Sequence, residues 1–214
     1  MKKNDNNKKF NAKLLIGTVA LVVLIVGTVI FAIGSGVKES SGEYLTGKHY
    51  VQIDIADYGV ITAELDADAA PITVTNFMKL AESGFYDGLT FHRIISGFMI
   101  QGGDPNGNGT GGSAEKIKGE FNANGVENPI VHERGVLSMA RSMAYDSASS
   151  QFFIMHAKAP HLDGQYAGFG KVLEGMDVVD AICESVPVTD NNGTVSKSNQ
   201  PVIISINKIE KPAQ

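Results

Sequence analysis

The sequence predicts a mainly β fold with two helical caps, carried behind one membrane-spanning helix. Three observations predict it. Eight short segments from residue 49 onward read as strands, only two stretches carry helical spacing, and residues 14–33 form an apolar run without a charge. Many short strands with few helices suggest a β-barrel or a sandwich whose ends the helices cover.

In chain order, residues 1–13 are a basic tail holding Lys2, Lys3, Lys8, Lys9 and Lys13. Residues 14–33, LLIGTVALVVLIVGTVIFAI, are interrupted only by Gly17, Thr18, Gly27 and Thr28. Twenty residues at ~1.5 Å rise reach about 30 Å, the thickness of a bilayer's hydrocarbon core. Lipid offers the backbone no hydrogen-bond partner, so the run is expected as a helix. Lysines precede it and no charge follows before Lys38, which keeps the N-terminus cytoplasmic and sends the rest of the chain outside. A cleaved signal peptide is the alternative, although its apolar region is usually only about 7–15 residues. Residues 34–46, GSGVKESSGEYLT, suit a short flexible linker, and 47–214 are expected as the folded domain.

Charge divides at the same place. The net −5 conceals +4 on the first 37 residues and −9 on the remainder. An acidic domain argues against nucleic-acid binding. With 43% hydrophobic residues the chain is too apolar for disorder, and its single cysteine, Cys183, excludes an internal disulfide and a cysteine-based zinc cluster.

Within the domain, HYVQIDI (49–55) and GVITAEL (59–65) alternate and are joined by a short hairpin connection. Further strands are expected at 90–95, 98–101, 135–140, 151–156, 167–173 and 202–209. Val74, Phe77, Met78 and Ala81 lie at helical spacing between Pro71, which suits a first turn, and Gly84, which suits a stop. Met176, Val179, Ile182 and Cys183 mark a second, shorter helix, on whose apolar face Cys183 reads as a buried, inert thiol.

Several chemistries are tested and set aside. Gly107, Gly109 and Gly112 match G-x-G-x-x-G, but no convincing helix follows, so the stretch is a loop rather than a dinucleotide site. None of the five histidines lies in H-E-x-x-H, and no G-x-S-x-G elbow exists. What remains is an unusual alternation. It sets Arg93 on one strand face with Phe91 and Ile95, Gln151 with Phe153, and Met99 with Gln101. A guanidinium and two amides among Phe and Met side chains describe an apolar groove with a few fixed polar donors. The alternative is an arginine emerging at a strand edge to a salt bridge.

FHRIISGFMIQGGD (91–104), NGTGG (108–112), GVLSMAR (135–141), SQFFIMHAKAPHLDG (150–164) and FGKV (169–172) together resemble the cyclophilin-type peptidyl-prolyl cis-trans isomerases, from about Tyr50 to Ile209. The resemblance implies a closed eight-stranded antiparallel β-barrel capped by two helices, with an external groove for X-Pro polypeptides. It implies Arg93 as the catalytic residue, Phe98, Met99, Phe153 and Leu162 as the proline pocket, and Gln101 and Gln151 as polar contacts. Gly109 and the backbone around Ala140 and Arg141 would line the neighbouring groove. Bond rotation makes and breaks no covalent bond, so neither cofactor nor metal is expected. Three positions depart from the best-known eukaryotic pattern. His161 replaces a tryptophan, Tyr166 a groove histidine and Arg141 an asparagine. Tryptophan there is associated with tight cyclosporin binding, so weak binding of that drug is expected. The sequence thus points to a membrane-tethered isomerase acting on exported proteins as they fold. The alternative is a proline-peptide binding module or ATP-independent chaperone with incidental turnover.

Overall fold

The computed structural model describes residues 44–213. The expected membrane helix at 14–33, the basic tail and most of the linker lie outside the described residues. Among the described residues, no helix is long and apolar enough to cross a membrane.

The eight strands are β1 (Lys48–Ile55), β2 (Gly59–Asp66), β3 (Phe91–Ile95), β4 (Met99–Gly102), β5 (Val136–Met139), β6 (Phe152–Met155), β7 (Gly168–Glu174) and β8 (Ile203–Ile209). Helix α1 (Pro71–Glu82) follows β2, and α2 (Met176–Ser185) follows β7. Alternation set β1 and β2 correctly. Val51, Ile53 and Ile55 face Ala63, Ile61 and Gly59 across an antiparallel hairpin, and Val51, Ile53, Ile61 and Ala63 are fully buried. The tight connection needs left-handed backbone at Asp57 (φ 66°) and Gly59 (φ 117°), which short polar side chains and glycine tolerate.

All eight strands form one sheet, ordered β3-β4-β6-β5-β7-β2-β1-β8 with antiparallel neighbours. The sheet curls into a half-barrel whose two edges touch just before β3 and β8. There Thr90 and Val202 form an isolated bridge, and the Ile203 N–H donates to the Leu89 carbonyl at 2.8 Å. A continuous β3–β8 ladder, which full closure requires, is not formed among the described residues.

Helix α1 plugs the interior with Phe77, whose ring lies 5.1 Å from Tyr86, 5.3 Å from Phe152 and 5.1 Å from Phe169. Ala70, the residue before its first turn, supplies no side-chain cap. The buried Glu120 carboxylate instead accepts the N–H groups of Ile72 (2.9 Å) and Thr73 (2.8 Å). That anion meets the helix's positive end, satisfying donors that a local side chain normally takes.

Two sequence expectations need correction. Phe91 does not share a face with Arg93. It is fully buried in the interior, whereas Arg93 and Ile95 turn outward, because the register shifts between Phe91 and Arg93. Such a bulge breaks simple alternation. Cys183 is only partly buried rather than interior, yet burial pushes its thiol up to about 11, so it stays protonated.

Candidate functional site

Strands β4 and β6 separate two apolar clusters by alternation. Ile100, Phe152 and Ile154 join the interior, while Met99, Phe153 and Met155 join a smaller outer cluster with Val136, Ala159 and Leu162. Phe98, Ala140 and Tyr166 pack against that outer cluster, partly exposed. The sequence-predicted pocket residues Phe98, Met99, Phe153 and Leu162 are thereby brought onto one surface. His161, exposed, stacks on Phe98 with ring centroids 5.7 Å apart, and Tyr166 meets Phe153 edge-on at 6.0 Å.

A row of polar groups runs beside this surface. Arg93 is the cross-strand partner of Gln101. Its Nη1 donates to Gln101 Oε1 at 3.2 Å, and its Nε donates to the Asn192 carbonyl at 2.8 Å. Gln101 Nε2 donates to Gln151 Oε1 at 2.9 Å, and Gln151 Nε2 donates to the carbonyls of Gly111 (2.7 Å) and Gly109 (3.2 Å). Each group in the row fixes the next, so the guanidinium is held from two elements while its Nη2 has no protein partner among the described residues. Burial lowers the Arg93 pKa, and Tyr166 and Asp190 oppose that shift. An arginine so placed remains charged at any physiological pH.

The glycine loop is pinned from below. Asp104, almost fully buried, accepts the N–H groups of Asn106 (2.8 Å), Asn108 (3.1 Å) and Gly109 (2.6 Å). Burial pushes its carboxyl up, but these three donors and His92 outweigh it and hold the pKa below the usual range. The outer cluster is likewise supported. His132, with no exposed side-chain surface, stacks under Phe153 at 6.1 Å and is held by Asp163 Oδ1 and Ser138 Oγ, each at 3.0 Å. Arg141 lies 4.5 Å over Tyr166 and 5.1 Å over both Phe121 and Tyr145, while its Nε and Nη2 donate to the Gln165 carbonyl. The Ala140 N–H donates to the Gln151 carbonyl at 3.0 Å.

Sequence reasoning missed Asn192, Gly111, His132 and Asp163. Two of them act through backbone carbonyls, which carry no residue-type signal. His132 and Asp163 are 31 positions apart and no local motif joins them. Asp104 was legible at most as the start of an Asp-Pro-Asn-Gly turn.

The arrangement offers an apolar floor for a ring, one fixed cation, and two amides aimed along a groove. Residues 50–209 match the family model described as cyclophilin type peptidyl-prolyl cis-trans isomerase/CLD. The chain is 52% identical over 123 residues to peptidyl-prolyl cis-trans isomerase B of Bacillus subtilis, covering 58% of this chain and 82% of that protein. It is 48% identical over 126 residues to a peptidyl-prolyl cis-trans isomerase of Helicobacter pylori, covering 58% of this chain and 74% of that one. The fold resembles a crystal structure of a cyclophilin type isomerase from Cryptosporidium parvum, with TM-score 0.68, 31% identity and coverage of 78% of this chain and all of the other. A second structure of that protein, in the presence of the dipeptide Ala-Pro, matches with TM-score 0.66 and 32% identity over 76% of this chain and 99% of that one.

Proposed function

Since the chain belongs to the cyclophilin-type peptidyl-prolyl cis-trans isomerases and is an enzyme of that class, we propose that Arg93 stabilises a twisted X-Pro amide above the outer apolar cluster. The observation that carries this reading is the fixed row Arg93–Gln101–Gln151 beside Met99, Phe153 and Leu162. An X-Pro bond resists rotation by ~18–20 kcal/mol because its nitrogen lone pair is conjugated with the carbonyl. As the bond twists, that lone pair becomes available on nitrogen. A guanidinium N–H aimed at it binds the twisted state and not the planar one, which is the differential binding that catalysis requires.

Shortening the event from tens of seconds to milliseconds requires a factor of ~10⁴, or about 5.5 kcal/mol. A charged donor contributes about 1.5–3 kcal/mol. The remainder comes from the dry surface that fixes the proline ring and from Gln101, whose second Nε2 hydrogen meets the carbonyl oxygen while Gln151, itself anchored on the glycine loop, holds the amide in place. The Ala-Pro dipeptide present with the Cryptosporidium parvum relative supports a proline-containing ligand here. The substrates are proteins folding outside the cytoplasm, with the domain tethered through residues 14–33. The apolar run and the lysines before it support that placement.

The test measures isomerisation of an X-Pro peptide by the full-length chain, wild type against Arg93→Ala. A fall in kcat of about tenfold to a hundredfold or more is expected, from the loss of one charged donor. An undiminished rate would overturn the role of Arg93 and favour a binding module. Protease added to intact cells checks the topology: digestion of the domain is expected, and complete protection would place it in the cytoplasm.

A further inference from the structure

A cavity of about 340 Å³ adjoins the polar row and shares one wall with it, through Gln101, Gln151 and Ala140. Lys116 and Arg141 are the only ionisable side chains among its lining residues, and both are cationic. Neither charge is cancelled. The exposed Lys116 forms no ion pair among the described residues, and its neighbour Glu115 is taken by Lys79 at 3.3 Å. Arg141 donates to the neutral carbonyls of Gln165 and Ser142, and the stacked Tyr166 ring fixes it in place. A local positive lining stands out in a region that carries −9 beyond residue 37.

Resting on the isomerase reading above, we propose that Lys116 and Arg141 make this enzyme select substrates with an acidic side chain two or three residues before the proline. The direction follows from the row itself. On that reading Gln101, its amide held by Gln151, meets the carbonyl that precedes the proline, and the chain before the proline runs on past both to the cavity they line. An extended chain advances ~3.3–3.6 Å per residue, so the second or third preceding residue comes over the cavity. A carboxylate there meets two fixed positive charges, whereas a lysine meets repulsion. Complementarity of this kind sets specificity.

The test compares kcat/KM of the full-length protein, read by NMR exchange, on peptides differing only in Glu, Gln or Lys at the second residue before proline. A second set carries the same changes at the third. At low salt Glu is expected to exceed Gln by about fivefold in at least one set, with Lys slower by a similar factor, a gap that high salt compresses. Ratios taken within one protein are insensitive to the amount folded. Lys116→Gln should shrink the Glu/Lys ratio, and Lys116→Glu, which sets one negative charge against Arg141 in the same lining, should bring it close to one. Equal turnover of all peptides, or ratios unchanged in both variants, would overturn this selectivity alone. No turnover of any peptide would overturn the isomerase reading and this one with it.

Discussion

Arg93→Lys separates charge from geometry, because it keeps the positive charge and discards the planar fork. In the wild type, Nε is committed to the Asn192 carbonyl at 2.8 Å and Nη1 to Gln101 at 3.2 Å, so the free edge is aimed by two contacts from opposite sides. A lysine ammonium is a point donor on a flexible stem and cannot hold both partners while also reaching the twisted amide. The transition state then loses one well-placed charged hydrogen bond, about 1.5–3 kcal/mol, equivalent to a fall of roughly 10- to 150-fold. In the proposed mechanism that bond forms only in the twisted state, so the loss belongs in kcat, with KM little changed. The assay is exchange NMR on an X-Pro peptide across a substrate series, beside a thermal melt confirming the fold. If the lysine variant kept more than half the wild-type kcat, or lost activity through KM alone, the fixed fork would not be what catalyses rotation.

Gly193→Ala tests the same aim from the far side. Gly193 has φ 79°, and an added Cβ would collide with the Ile94 carbonyl and come within 2.6 Å of Ile95 Cγ1. Displacing this loop should cut kcat about tenfold or more by withdrawing the Asn192 carbonyl, and an unchanged kcat would count against the contact. Stability should fall in acid. Burial lowers the pKa of both His92 and His132, against opposing pulls from Asp104 and Asp163, so the unfolded chain takes up protons first. That stability is fully present above the ordinary histidine value near ~6.5 and is lost as pH falls toward the depressed folded values. Urea midpoints at several pH values from 8 to 5 read it, and a midpoint that stayed flat or rose would contradict the sign. His161→Trp should restore tight cyclosporin inhibition, whereas the wild type should bind weakly; a nanomolar inhibition constant for the wild type would refute this.

Strand periodicity made most of the fold legible, since β1, β2, β4 and β6 each send alternate apolar residues to the interior cluster. It failed at Phe91, where a bulge changes the face between Phe91 and Arg93. Helix α1 was visible from Pro71 and its apolar spacing, but its cap was not, because Glu120 reaches it from 47 residues away. The site divides in the same manner. Side-chain chemistry flagged Arg93, Gln101 and Gln151, while the backbone carbonyls of Asn192 and Gly111 that orient them depend on chain closure over long separations. Arg141 could be seen as a departure from the family pattern, but its stacking on three rings could not, since Phe121, Tyr145 and Tyr166 converge only in the folded state.

Interior and groove are opposite faces of the same strands, with Ile100 and Ile154 turned in and Met99, Gln101 and Phe153 turned out. A one-residue slip of β4 or β6 would therefore exchange the two faces at once, sending an amide inward and emptying the floor of the groove. No partly correct pairing yields a working surface. Regain of turnover during refolding is thus a clock for strand registration: the isomerase reports, through its own activity, whether its strands have paired in the right register.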